Sequence, residues 1–238
     1  MKKLVAIFLS MITLVACVKV TMNPAEEKNV ESYMTETVIE ESEANKEGNF
    51  DHTYGYETLP PLNIENSLEN VNGKNLVDSL EAGYVKYMST IPVELTSLLK
   101  ENGTVVYFVS DLAPYFGSDS SQHLNGFIRN HDIFVKADYS ANDPYWYLIL
   151  YHEVGHALDF AFGHPSQSPE FKALYDEEFT EEVSSHDENN PAEFFADTFK
   201  MYAWLLNFNE AGIPIYCFTK KIPKTKAFVQ DTLKLPDV

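Results

Sequence analysis

Residues 151–159 read YHEVGHALD, which places His152 and His156 four positions apart, with Glu153 directly after the first histidine. On an α-helix, side chains at positions i and i+4 lie one turn apart on the same face, so both imidazoles can bind one ion. The surrounding residues favour a helix that starts near Pro144, because proline suits a first helical turn. This motif on a helix is typical of a zinc site in which the glutamate acts on a metal-bound water.

A second predicted helix offers the third protein ligand that a catalytic zinc site needs. Asn190 can cap this helix, and Pro191 suits its first turn. Glu193 and Asp197 are four positions apart, so their carboxylates share one face, and Asp197 could hold a ligand histidine from behind. From spacing alone, Glu193 has two equal interpretations. It binds the metal, or it bonds to the N-terminus of its own helix, where capping glutamates occur.

Composition limits the classes of function. The chain has 238 residues, of which 45% are hydrophobic and 13% aromatic, ample for a packed core. The formal net charge is −19, with 36 acidic residues against 17 basic ones. Phosphate binding needs basic patches, so this charge argues against a nucleic-acid partner.

The N-terminus is predicted to be a targeting signal. A lysine pair precedes an apolar stretch at residues 4–15, as in secretory signals. Residues 14–17 read LVAC, which resembles the bacterial lipobox, after which Cys17 becomes a lipidated N-terminus. The alternative is a transmembrane anchor, but the stretch is shorter than the roughly 20 residues of a membrane span. We therefore predict a lipoprotein signal peptide at residues 1–16.

Residues 17–60 are predicted to form an acidic flexible tether that begins with the lipidated Cys17. Between positions 18 and 60 there are ten acidic residues against three lysines, with few large apolar side chains. Such a composition cannot bury enough surface to offset the loss of chain entropy. One folded domain is predicted at residues 61–238.

Helical and strand signals are segregated along that domain. A β-branched and aromatic run at residues 104–109 is the strongest strand signal. A hairpin follows, and its second strand, at residues 132–136, is the predicted sheet edge for an added substrate strand because it directly precedes the zinc helix. Helices, then a small strand set, then helices indicate an α+β fold. The predicted helices cover residues 74–88, 92–102, 142–163, 170–179 and 190–207, with a short last helix from residue 223.

The two motifs together resemble the catalytic domain of the anthrax lethal factor and Pro-Pro endopeptidase group of zinc metalloproteases. The matching features are HExGHAxD at residues 152–159 and AEFFAD at residues 192–197. Residues 222–225, IPKT, are similar to the C-terminal segment of that group, and residues 91–109 match more loosely. The resemblance implies a zincin-like metalloprotease domain with a small sheet packed on the zinc-site helix and a mostly helical C-terminal half.

The resemblance also implies roles for individual residues. His152, His156 and Glu193 are the implied ligands of one zinc ion per chain. Glu153 is the implied general base, which activates a zinc-bound water for the hydrolysis of a peptide bond. Asp197 stands where the group usually has a glutamate, and its implied role is to support a ligand histidine.

Two further positions have alternative interpretations. His186 lies seven residues before Glu193, where the group has a tyrosine thought to stabilise the oxyanion. A histidine can donate a hydrogen bond to a developing oxyanion, but His186 could equally be an exposed loop residue. Asp159 could brace His156 or simply contact solvent.

We therefore predict a monomeric, zinc-dependent metalloendopeptidase that acts on protein or peptide substrates. It is expected to be extracytoplasmic, bound to the bacterial cell membrane only through the lipid on Cys17. The alternative is a surface lipoprotein that keeps the zincin fold as a catalytically inactive binding module, which the departures at His186 and Asp197 favour. Cys217 lies in an apolar run and is expected to be a small buried side chain.

Overall fold

The computed structural model of the chain describes residues 49–71, 73–116, 124–137, 146–180, 190–208 and 217–237. All of them belong to the unit that begins at Asn45. The predicted signal peptide, Cys17, most of the predicted tether and His186 lie outside the described residues.

Five short strands pair into one open sheet. Its order is β1-β2-β3-β5-β4, with β2, β3 and β5 parallel and the two outer strands antiparallel to their neighbours. The strands are β1 His52–Tyr54, β2 Leu62–Ile64, β3 Val106–Val109, β4 Gly126–Arg129 and β5 Asp132–Lys136.

The predicted hairpin is confirmed, but its two strands lie in the opposite order from the one expected. β5 pairs with β3 on one side, Val106 opposite Ile133, and with β4 on the other, Gly126 opposite Val135. Because both edges of β5 are occupied by neighbouring strands, the prediction that β5 is the free edge of the sheet is wrong. β4 is the outer strand on that side of the described sheet.

The folded domain begins earlier than the predicted boundary. His52 in β1 pairs opposite Ile64, and Leu62 in β2 pairs opposite Val106. The predicted domain start at Pro61 is therefore too late, since β1 was assigned to the tether. Each of these strands has only three residues, too few to show an alternating pattern, so the pairing partner defines them and the local sequence does not.

Except for the short helix Ala113–Phe116, which was not predicted, the α-helices of the described residues lie within a few residues of their predicted positions. None of the helices in the described residues is both long and apolar enough to cross a membrane. Their bounds are α1 Val77–Met88, α2 Val93–Glu101, α3 Ala113–Phe116, α4 Trp146–Ala161, α5 Pro169–Glu178, α6 Pro191–Phe208 and α7 Pro223–Leu233.

The two faces of the sheet bury different sets of side chains. Alternate residues of β3 and β5, such as Phe108 and Val135, join the main core, to which all the helices except α3 contribute. The intervening residues join a smaller aromatic cluster, in which Phe134 stacks on Tyr107 at 4.7 Å and on Phe127 at 4.8 Å between ring centroids. The resulting mixed α+β architecture, with a small sheet and mostly helical C-terminal half, agrees with the predicted fold class.

A buried carboxylate secures the last helix. Glu178, at the end of α5, accepts hydrogen bonds from the backbone N–H groups of Lys224 at 3.1 Å and Thr225 at 2.8 Å. Both groups belong to the first turn of α7, where backbone donors have no partner within the helix. Glu178 thereby fixes the IPKT segment against the body of the domain.

We expect Glu178→Ala to lower the free energy of unfolding by about 1–3 kcal/mol, because it leaves one buried and one partly buried N–H group unsatisfied. The neighbouring Glu177 is exposed and pairs with the Lys224 side chain, so Glu177→Ala is a matched control that should leave stability unchanged. Urea denaturation of both variants measures the difference. Equal losses of stability in the two variants would show that the Glu178 hydrogen bonds stabilise the domain no more than the exposed pair of Glu177 with Lys224 does.

Candidate metal centre

Helix α4 holds the HExxH motif inside the domain. Its flanking side chains Leu150, Tyr151, Val154 and Leu158 are fully buried, so the helix is anchored on several sides by apolar contacts. Glu153 is itself only 6% exposed. Because α4 is packed this tightly, the functional side chains project from a fixed backbone.

Helix α6 brings the second motif to the first. Its N-terminus is capped by Asn190, whose side-chain oxygen accepts a hydrogen bond from the Ala192 N–H at 3.1 Å. In the first turn, Glu193 directs its Oε2 atom to the Nε2 atoms of His152 and His156, at 2.9 and 3.4 Å. The two motifs, far apart in sequence, therefore meet across the contact between α4 and α6.

The three donor atoms have the spacing of a small metal site. The Nε2 atoms of His152 and His156 are 3.1 Å apart, and one donor atom from each of the three residues lies within 4.8 Å of the others. Four ligands placed tetrahedrally at about 2.0–2.1 Å from zinc would be roughly 3.3 Å from one another. Two imidazoles and one carboxylate are also the ligand types that catalytic zinc sites use. The donor set and its spacing therefore fit Zn²⁺ with one further position for a water or substrate.

A carboxylate behind the cluster orients His152. Asp197 Oδ1 lies 2.9 Å from His152 Nδ1, and because a carboxylate only accepts, the ring nitrogen donates. This bond leaves Nε2 as the atom that faces Glu193 and His156. Lys200, one turn further along α6, forms an ion pair with the same Asp197 oxygen. The sequence analysis identified Asp197 and missed Lys200, although its i+3 spacing on the helix was a usable signal.

The ionisation of the cluster reflects these contacts. Burial lowers the pKa of His152, but hydrogen bonds to Asp197 and Glu193 outweigh it and raise the pKa to about 9. Burial raises the pKa of Glu193, whereas the bonds from both histidines lower it well below its ordinary value. In the metal-free chain at neutral pH, His152 and Glu193 are therefore a charged pair. A bound metal ion would replace the proton between them.

A glycine lets the two ligand helices approach closely. A Cβ atom placed on Gly155 would lie 2.7 Å from the Cα atom and 3.0 Å from the carbonyl oxygen of Ala196. Both atoms belong to the backbone of α6 and cannot move aside without the whole helix. Any side chain at position 155 would therefore force the two helices apart.

We expect Gly155→Ala to destabilise the domain by about 1–3 kcal/mol, because it overpacks the contact between the ligand helices. At an ordinary interior helix position, the same change would stabilise by about 1 kcal/mol through helix propensity. The sign of the change in melting temperature therefore distinguishes overpacking of this contact from the gain in helix propensity. A rise would contradict the close approach of α4 and α6.

Asp159 has neither of the roles considered for it. It is 3% exposed, and its carboxylate accepts from the backbone N–H and the hydroxyl of Ser166, both at 2.8 Å. The third contact is with His164 at 3.5 Å. The predictions that Asp159 braces His156 or contacts solvent are both wrong, because the carboxylate instead secures the turn that follows α4.

Two other predicted residues have different outcomes. His186 lies in residues 181–189, outside the described part of the chain, so its place relative to the cluster stays a prediction. Cys217 is 4% exposed, as expected for a small apolar side chain.

The fold and site define an α+β domain whose HExxH helix and a second helix bring two histidines and a glutamate together. Among solved structures, the chain is similar to the Pro-Pro endopeptidase PPEP-2 from Paenibacillus alvei, with 14% sequence identity and a TM-score of 0.50. The match covers 71% of this chain and 96% of that one. At this identity the likeness concerns the fold alone. No protein-family model and no curated protein matches the sequence.

Proposed function

We propose that this protein is a zinc-dependent endopeptidase. The observation that carries the proposal is the meeting of His152, His156 and Glu193 at mutual donor distances of 2.9–3.4 Å. The position of Glu153 in the same buried helix, next to a ligand, supports a hydrolytic role. The fold shared with a solved endopeptidase supports it further.

The chemistry follows from the donor set. When bound, zinc polarises the peptide carbonyl and makes a water more acidic at neutral pH. Glu153 accepts a proton from the attacking water, whose oxygen bonds to the carbonyl carbon, and then delivers the proton to the nitrogen of the leaving amine as the C–N bond breaks. Asp197 holds His152 in the orientation that keeps Nε2 toward the site.

A peptide substrate has a natural place beside this site. β4 is an outer strand of the described sheet, and no other described strand pairs with its outer edge, so a peptide could add there as a further strand. Gly126, the first residue of β4, lies next to Glu153. A peptide paired with β4 would therefore have its backbone close to the proposed base.

The decisive experiment is a peptide-library cleavage profile of the full chain, purified in detergent, with zinc and with a chelator. We expect cleavage that needs zinc and is restored when zinc is added back after chelation. One equivalent of bound zinc without any cleavage would instead favour the catalytically inactive binding lipoprotein.

We further propose that the enzyme is held at the outer face of the cell membrane by lipid on Cys17. The support is the LVAC segment at residues 14–17 and the lysine pair and apolar stretch before it. An acidic tether would hold the catalytic domain away from the membrane surface. Incorporation of labelled fatty acid into the wild type and equally into Cys17→Ser would rule out this anchor.

A further inference from the structure

Gly126 occupies a position where no other residue fits without disturbing the site. A Cβ atom placed on it would lie 2.7 Å from Glu153 Oε1, 2.9 Å from Glu153 Cγ and 2.8 Å from Ile149 Cγ2. Real Cβ atoms essentially never come so close to other heavy atoms. The volume that a side chain would fill is therefore taken by the proposed base and by its neighbour one turn earlier on α4.

The need for glycine here comes from space, because the backbone conformation does not require it. The φ angle of Gly126 lies outside the left-handed region, where glycine would be favoured for its conformational freedom. Side chains alternate between the two faces of β4, so a side chain at position 126 would point to the same face as that of Ile128. Ile128, two residues on, packs against the main core on the α4 side, whereas Phe127 joins the aromatic cluster on the other face.

The contact also limits where the Glu153 carboxylate can go. The Glu153 side chain fills the space beside Gly126 of β4, since a Cβ atom there would overlap its Oε1 and Cγ atoms. Glu153 is 6% exposed, so its side chain has little solvent-filled space into which it could move. β4 therefore restricts movement of the Glu153 carboxylate toward the sheet.

We propose that Gly126 is a positioning residue for Glu153, a role that rests on the proposed function of Glu153 as the base. A single methyl group at position 126 displaces the carboxylate from the line of the attacking water. Displacements of about 1 Å at a reacting group can cost on the order of 100-fold in rate. The proposal therefore predicts a defect in turnover with substrate binding and metal content preserved.

The contact itself is tested by thermal unfolding of four proteins: wild type, Gly126→Ala, Glu153→Ala and the double variant. We expect Gly126→Ala to lower the melting temperature by about 4–8 °C in the wild type, as overpacking does. In the Glu153→Ala background the loss should be at most half as large, because two of the three close contacts are gone. An equal loss in both backgrounds would overturn the contact.

The positioning role is tested by steady-state kinetics and zinc content. We expect kcat of Gly126→Ala to fall about 100-fold while KM and bound zinc are unchanged. Gly55→Ala is the control, because a Cβ atom there meets nothing within 4 Å, and it should match the wild type in every measurement. A kcat equal to that of the wild type, or a loss explained by lost zinc, would overturn the role.

Comparison of Ile149→Ala with and without Gly126→Ala separates the positioning role from a general folding defect. Ile149→Ala removes the third close contact, so Gly126→Ala in that background meets only Glu153. We expect the kcat loss to persist there relative to Ile149→Ala alone, and recovery of kcat would overturn the proposal. A wild type that cleaves nothing would refute the proposed function and with it the role, while the melting-temperature cycle would still report the contact.

Discussion

Glu153→Gln is expected to abolish peptide hydrolysis while the protein still binds one zinc ion. Glutamine preserves the shape of the side chain but cannot accept a proton from the attacking water, and loss of general-base catalysis typically costs about 100- to 10,000-fold in rate. The candidate donor atoms of His152, His156 and Glu193 do not include this carboxylate. Measurement of kcat/KM together with zinc content separates the two effects.

A matched control distinguishes this loss from a change in overall charge. Glu94→Gln removes the same charge from an exposed position in the first turn of α2 and should leave kcat/KM unchanged. Full activity in Glu153→Gln would show that another group takes the proton. Loss of zinc in Glu153→Gln would show that the residue supports the metal instead.

Glu193→Gln is expected to weaken zinc binding by more than the 10- to 100-fold typical of changes to groups behind a ligand. The carboxylate is one of the three donors, and an amide oxygen carries no charge to offset that of the ion. Asp197→Asn, which alters only the partner of His152 Nδ1, should fall within that 10- to 100-fold range. Titration calorimetry with zinc measures which of the two variants loses more affinity for the metal.

The control for Glu193→Gln is Glu170→Gln, an exposed glutamate in the first turn of α5. Because it also lies in the first turn of a helix that starts at a proline, but away from the histidine cluster, Glu170→Gln should bind zinc like the wild type. If Glu193→Gln also binds like the wild type, Glu193 is no ligand. The alternative that it caps its own helix would then stand.

Much of the candidate metal centre was predictable because helix geometry is local. Four-residue spacing within α4 and within α6 decides that His152 with His156, and Glu193 with Asp197, share a face. The Asn190 cap and the starts of α6 and α7 at prolines followed from the same local rules.

The sheet and the surroundings of the site were less predictable. β1 and β2 are too short to leave a periodic pattern. The free edge was assigned to β5 from its position just before the HExxH helix, but strand order depends on pairings between distant segments. Asp159 was expected either to brace His156 or to contact solvent, but its carboxylate accepts hydrogen bonds from Ser166 in the turn that follows α4. Local spacing contains no information about such partners.

The sequence by itself determined the types and spacings of the candidate functional groups: two histidines and a glutamate on one helix, two carboxylates on another. Only the tertiary structure decided that these faces meet. It did so through the close approach of α4 and α6 at Gly155 and through the hydrogen bond between His152 Nδ1 and Asp197. It also decided that Gly126 adjoins Glu153. The physical reason is that spacing along a helix follows from backbone hydrogen bonds within the segment, whereas contacts between segments depend on how the whole core packs.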